Sequence, residues 1–135
     1  MTSIESDIVE INNSSEKLFN FLSNLNNLKN LMPEQVINWL SSEDSCSFTI
    51  KGMTDLTMRI DKKIPYTKII VTSGEKTPFN FVLIFNFEES KKNCTNTQII
   101  FNAELNAMLE MLAKKPLHNF INMLVAKLGE IGEAL

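Results

Sequence analysis

The sequence predicts an α+β fold in which a curved antiparallel sheet of about seven strands wraps around one long C-terminal helix, with two short helices after the first strand. Three observations carry this. Between residues 35 and 105, apolar side chains recur with a period of two in successive short runs, the pattern of strands that bury one face. After Pro116 the period becomes helical, and Leu117, Phe120, Ile121, Leu124, Leu128, Ile131 and Leu135 form one continuous stripe. Ahead of the sheet, two short helical patterns follow a β-branched run. A length of 135 residues suits one core, so residues 1–135 are read as a single domain.

Residues 8–12 (IVEIN) read as the first strand. Asn13 and Glu16 have the spacing of a capping box, which starts a helix carrying Leu18, Phe19, Phe21 and Leu22. The Asn-rich stretch 24–27 interrupts it, and Leu25, Leu28 and Leu31 mark a second short helix that stops before Pro33. Ile37 and Trp39 then alternate with Asn38 and Leu40, and Cys46, Phe48 and Ile50 alternate with Ser47, Thr49 and Lys51. A two-residue turn at Glu43-Asp44 places Trp39 opposite Phe48 and Ile37 opposite Ile50. A three-residue loop at 52–54 places Leu56 opposite Ile50 and Met58 opposite Phe48. Thr49, Lys51, Thr57, Arg59 and Asp61 fall on the other, solvated face.

Further strands are expected at 68–73 and 79–89, separated by a turn at 73–78, and at 97–105 after a polar loop at 90–96. Phe79, Phe81, Leu83, Phe85 and Phe87 share one parity, as do Ile99, Phe101, Ala103 and Leu105. Residues 107–112, with Met108, Leu109, Met111 and Leu112, read as an irregular or short helical segment. Pro116 then falls at the first turn of the final helix.

A formal charge of −3 argues against nucleic acid as the main partner, because phosphate binding needs a positive field. No apolar run is long enough to span a bilayer, so stable membrane insertion is not expected. The acidic opening MTSIESDIVE lacks the build of a secretion signal, and Cys46 and Cys94 have no metal-ligand spacing. The two cysteines therefore read as free thiols of a cytoplasmic protein. Cys46 has inward parity, and burial should raise its pKa and leave it inert. Phosphate-binding, zinc and nucleophile motifs are absent, so no cofactor or metal is expected. His118, the single histidine, sits on the flank of the helical stripe with no carboxylate one turn away to orient it. Arg59, Glu104, Asn86 and Asn102 have outward parity.

The opening IVEINNSSEKLFNFLSNLNNLKNLMP, the hairpins CSFTIKGMTDLTMRI and DKKIPYTKIIVTSGE, and the helix KPLHNFINMLVAKLGEIGEAL together cover most of the chain. Their order resembles the SRPBCC, or START-like, superfamily, which includes the birch-pollen-allergen relatives. The resemblance implies a helix-grip fold with a cavity between the concave sheet and the last helix. Members bind lipids, hormones, quinones and polyketides, and a minority are enzymes. It thus implies a small apolar or amphipathic ligand, with Trp39, Phe48, Ile50, Met58, Ile60, Phe81, Phe85, Phe101, Met108, Met111, Leu117 and Ile121 lining the pocket. The Met108–Leu112 segment would act as its gate. An apolar pattern is the same for a filled core and a hollow one, and two alternatives stay open. One is an interaction module or homodimer with a filled core, using the outward-parity Ile70, Val82, Ile84 and Ile100. The other is a cyclase or aromatase-like enzyme, which needs ionisable residues inside the pocket.

Overall fold

The computed structural model describes residues 1–75 and 77–135; Lys76, within the turn expected at 73–78, lies outside the described residues. The chain forms strands β1 (Thr2–Glu5) and β2 (Val9–Ile11), helix α1 (Ser15–Leu22) and a 3₁₀ helix (Leu25–Leu31). Strands β3 (Val36–Ser41), β4 (Ser45–Ile50), β5 (Thr54–Ile64), β6 (Lys68–Ser73), β7 (Phe81–Lys91) and β8 (Cys94–Ala103) follow, and helix α2 (Ala107–Gly132) closes the fold. The strands form one eight-stranded antiparallel sheet in the order β1-β8-β7-β6-β5-β4-β3, with β2 also on β8.

The eighth strand is β1, which the period-two signal of the opening residues was too short to mark. It and β2 act as one edge strand with a break. Ser6 spans the break by donating its N–H to the Ile99 carbonyl and accepting the Ile99 N–H on its hydroxyl, both at 2.9 Å. The side chain thereby takes the place of a ladder carbonyl and keeps β8 satisfied where the edge strand leaves it.

Inward parity holds along the long strands: Phe81, Leu83, Phe85 and Phe87 of β7 and Ile99, Phe101 and Ala103 of β8 are buried. Registers differ from expectation at three places, each for a local reason. The Glu43-Asp44 turn forms, with Ser41 opposite Cys46, but the β3–β4 ladder slips between Ile37 and Leu40, so that Val36 rather than Ile37 faces Ile50. Asn38 sits there at φ 56°, the left-handed conformation that Asn tolerates, and the irregularity leaves Trp39 stacked on Phe48 with ring centroids 5.4 Å apart. The β4–β5 loop is Lys51-Gly52-Met53, with Gly52 at φ 76°, so Phe48 faces Leu56 and Cys46 faces Met58. Moving the loop by one residue moves every partner by two, which preserves the buried face. β7 and β8 continue to a two-residue turn at Lys92-Asn93, where the expected polar loop was longer; Asn93 at φ 58° closes it.

Helix α1 is capped by Ser14, whose hydroxyl accepts the Lys17 N–H at 3.2 Å. Asn13, expected to cap it, is buried and serves the other end of the chain. Its amide donates to the carbonyls of Gly132 at 2.7 Å and Leu135 at 3.2 Å, joining the Leu135 N–H, which donates to the Gly132 carbonyl at 3.3 Å. Gly132 makes that approach possible, since a Cβ there would lie 2.8 Å from Leu18 Cδ2 and 2.9 Å from Ile11 Cγ2. Leu135, counted in the helical stripe, lies beyond the end of α2 and is exposed.

The largest departure is the start of α2. It runs unbroken from Ala107, with the Asn106 side chain accepting the Leu109 N–H at 2.8 Å, and Pro116 lies inside it rather than at its first turn. Pro116 cannot donate to Leu112, but both residues are exposed, so the unpaired carbonyl is on the solvent side. The buried stripe Ala113, Leu117, Phe120, Ile121, Leu124, Val125 and Leu128 lies on the inner face of the sheet.

Gly132→Ala tests the junction of α2 with β2 and α1. Leu18 and Ile11 are fully buried and have little room to yield, and overpacking costs about 1–3 kcal/mol. Alanine returns less than about 1 kcal/mol of helix propensity at a helix end. A net loss of about 1–2 kcal/mol is expected in urea denaturation; unchanged stability would show that the junction is loose.

Candidate functional site

An apolar cleft of about 680 Å³ opens where the β4–β5 turn, the segment before β7 and the first half of α2 meet. Ile50, Lys51, Gly52, Met53 and Thr54 form one wall, Pro78 and Phe79 a second, and Leu109, Leu112, Ala113, Pro116, Asn119 and Phe120 the helical wall. Gln35 stands at the edge beside the turn. A volume of this size lies within the range of small-molecule sites.

Aromatic packing sets its depth. Phe120 stacks on Phe48 at 6.4 Å, and Phe48 on Trp39 at 5.4 Å. On the other side Phe79 meets Phe81 edge-on at 6.0 Å, and Phe81 stacks on Phe101 at 5.0 Å. Phe120 and Phe79 are thus the visible ends of two aromatic rows that fill the space behind them. The cleft is a basin at the mouth of the grip, backed by a packed interior.

This placement separates the candidate residues. Ile50 lines the cleft. Phe48, Phe85, Phe101, Leu117 and Ile121 are buried in the core behind it, and Trp39 and Ile60 are half-buried against that core. Met58 and Phe81 are also core residues, each touching a separate groove on the surface of the molecule. Met108 and Met111 point outward, 70% and 83% exposed, because an unbroken helix carries its buried face through Leu117, Ala113 and Leu109 and turns these two away. Parity reasoning missed Phe120 as a floor residue, although its place on the stripe was legible. Leu109 and Leu112 belong to the segment expected as a gate and stand in the cleft wall, whereas Ala113 and Asn119 were missed, Ala113 because the helix was expected to begin only at Pro116. The signal for the longer helix was Asn106, an N-cap residue three positions before Leu109.

Among the described residues, ionisable side chains other than Lys51 lie outside the cleft. His118 shares an outer groove with Glu5, Glu110, Lys114 and Lys115, and its Nε2 lies 3.4 Å from the Asn122 amide. Arg59 lies in another groove, 3.9 Å from Asp61, and Glu104 in a third. His118, Glu5, Glu110, Lys114 and Lys115 thus share one groove, whereas Arg59 and Glu104 lie apart from it and from each other. Among the described residues no cluster of His, Cys, Asp and Glu has metal-binding geometry, and no helix is long and apolar enough to cross a membrane. Cys46 and Cys94 are free and buried, and burial pushes the Cys46 thiol up to about 12.

No protein-family model matches the chain, and no curated protein matches its sequence. Solved structures do match. The protein XoxI from Bacillus cereus aligns with a TM-score of 0.76 at 12% identity, covering 97% of this chain and 95% of that one. A START superfamily protein from Mycobacterium smegmatis aligns with a TM-score of 0.69 at 13% identity, over 98% and 97%. Norcoclaurine synthase from Thalictrum flavum, in complex with dopamine and hydroxybenzaldehyde, aligns with a TM-score of 0.72 at 10% identity, over 97% and 86%. The chain has the SRPBCC, or START-like, helix-grip fold. At these identities the likeness defines the fold and leaves activity to the site.

The raised Cys46 pKa sets a pH dependence of stability. Unfolded, the thiol ionises near 8.5; folded, it stays neutral to about 12, so above pH 8.5 the unfolded state binds fewer protons and stability falls as pH rises. The loss attributable to Cys46 is about 2 kcal/mol at pH 10. The stability difference between the protein and Cys46→Ala, measured by denaturation at pH 7 and pH 10, should change by this amount. A pH-independent difference would refute the assignment.

Proposed function

We propose that the protein binds a small apolar or amphipathic molecule in the cleft between the β4–β5 turn, Phe79 and the first half of α2, as a carrier or a sensor. The observation that carries the reading is the cleft itself: about 680 Å³ of space walled by Ile50, Met53, Phe79, Leu109, Leu112 and Phe120, with a few polar groups at its edge. Apolar walls with sparse polar groups are the usual build of a ligand site. Affinity would come from apolar area removed from water, at about 25 cal/mol per Å² before ordering costs. Leu112 is 66% exposed, so free α2 holds apolar surface in water that a ligand would cover. The START-like neighbours support the reading through the shared fold, and one of them holds two small aromatic molecules.

Native mass spectrometry of freshly purified protein tests this, followed by solvent extraction of bound material. A discrete added mass that extracts as an apolar compound is expected, together with uptake of Nile red by the stripped protein. Leu112→Asp should abolish both while leaving the melting temperature within a few degrees. A bare mass combined with no dye uptake would remove the ligand-binding reading.

A second reading is self-association through the outer face of the sheet. It is supported by the register that sets Ile70 opposite Ile84 and Ile84 opposite Ile100, a row of half-buried isoleucines across β6, β7 and β8. Sedimentation at micromolar concentration should show a dimer that Ile84→Lys converts to monomer. A monomer in the unmodified protein would eliminate this reading.

A further inference from the structure

We infer that the cleft selects an amphiphile with an anionic head group, held at the edge where Lys51, Gln35 and Asn119 converge; this rests on the cleft being a ligand site. Its polar groups are not scattered round the rim. The Lys51 N–H donates to the Gln35 carbonyl at 2.8 Å, which fixes the turn against the residue that precedes β3. The Gln35 amide reaches the Met123 sulfur at 3.6 Å, and Met123 lies one helical turn from Asn119 on α2. One cation and two amides therefore border the same edge. Away from it, Pro78, Phe79, Leu109 and Leu112 offer only apolar surface. Leu109 and Asn119 are ten residues apart in α2, so the two ends are separated by about 15 Å along the helix. A chain with a polar head matches that layout better than a uniformly apolar ligand.

The sign of the head follows from the charges. Among the described residues, Lys51 is the one ionisable residue lining the cleft, and no Asp or Glu is among its walls. The ion pairs among the described residues are Arg59–Asp61 and Lys127–Glu130, so the Lys51 ammonium is not committed elsewhere. The nearby Asp55 is across the β4–β5 ladder from Thr49, outside the cleft, and its carboxylate accepts the Thr49 hydroxyl at 2.6 Å. Glu110 belongs to the groove around His118 on a different side of α2. A cationic head would meet Lys51 with no compensating acid, whereas a carboxylate would gain an ion pair together with amide N–H donors.

Isothermal titration with dodecanoate and dodecyltrimethylammonium below their micelle concentrations, and with dodecanol below its solubility limit, tests the inference. Dodecanoate should bind roughly three- to fivefold tighter than the alcohol, the ratio that a solvent-exposed ion pair supplies, and the cation should bind weakest. Added salt should narrow the difference. Lys51→Met, in an exposed turn, should bring the ratio of dodecanoate to dodecanol affinity down to about one. Equal binding of all three to the unmodified protein, or a preference that survives Lys51→Met, would overturn the charge selection while leaving the cleft as a ligand site. Binding of none of them would instead overturn the cleft reading, and this inference with it.

Discussion

The contact of Phe120 with Phe48 is the point at which helix, sheet and cleft are decided together. Phe120 belongs to the 3.6-period stripe of α2, and Phe48 to the period-two inner face of β4. Their rings stack at 6.4 Å, with Trp39 behind Phe48 on β3. This row ties the helix to the β3–β4 hairpin, which is the far edge of the sheet from β1 and β2. At the other edge the helix end is held by Asn13 and by the close approach at Gly132. A curved sheet with two free edges would open in water. Here one helix bridges from edge to edge, so its burial stabilises every strand between them.

The same row limits the space available for a ligand. A helix gripped by a concave sheet encloses a volume that large side chains can fill or small ones can leave vacant. Here Phe48, Phe81, Phe85, Phe101 and Phe120 belong to the core, and the cleft opens where Leu109, Leu112 and Ala113 of α2 meet the β4–β5 turn and Phe79. The mouth is shaped by the length of the helix. Had α2 begun at Pro116, the wall formed by Leu109, Leu112 and Ala113 would be missing.

Much of the fold was legible because burial imposes periodicity. Inner parity along β7 and β8, the β3–β4 turn, the bounds of β6 and the buried stripe of α2 all follow from one face being apolar. What was not legible depended on single backbone conformations. Asn38 in the left-handed region shifts the β3 register without altering composition, and Asn93 closes a turn inside a stretch that reads as a polar loop. The strand β1 is four residues long and carries no run of its own. The helix start was obscured because proline is favoured in a first turn and costs about 3 kcal/mol inside a helix, so Pro116 reads as a start although α2 runs through it. The site was less legible than the fold for a different reason. Parity assigns a residue to the interior, but whether the interior is occupied depends on ring volumes contributed by strands far apart in sequence. The pattern that correctly buried Phe85 and Phe101 therefore also nominated them as pocket walls.

The distinction between a binder and a catalyst on this fold comes down to where ionisable groups are placed. Proton transfer needs a donor or acceptor within hydrogen-bond reach of the reacting atom, and a partner that keeps it oriented. His118 lies 3.4 Å from the Asn122 amide in a groove shared with Glu5, Glu110, Lys114 and Lys115, Arg59 and Glu104 sit in other grooves, and Cys46 is held neutral by burial. Among the described residues, the cleft wall offers a single ammonium, that of Lys51, with no Asp or Glu in the lining. A lone exposed cation can orient a head group through charge, a task that needs no tuned pKa and no second residue. Under the proposed ligand reading, the chemical information of the site lies in the turn between β4 and β5 rather than in the packed interior.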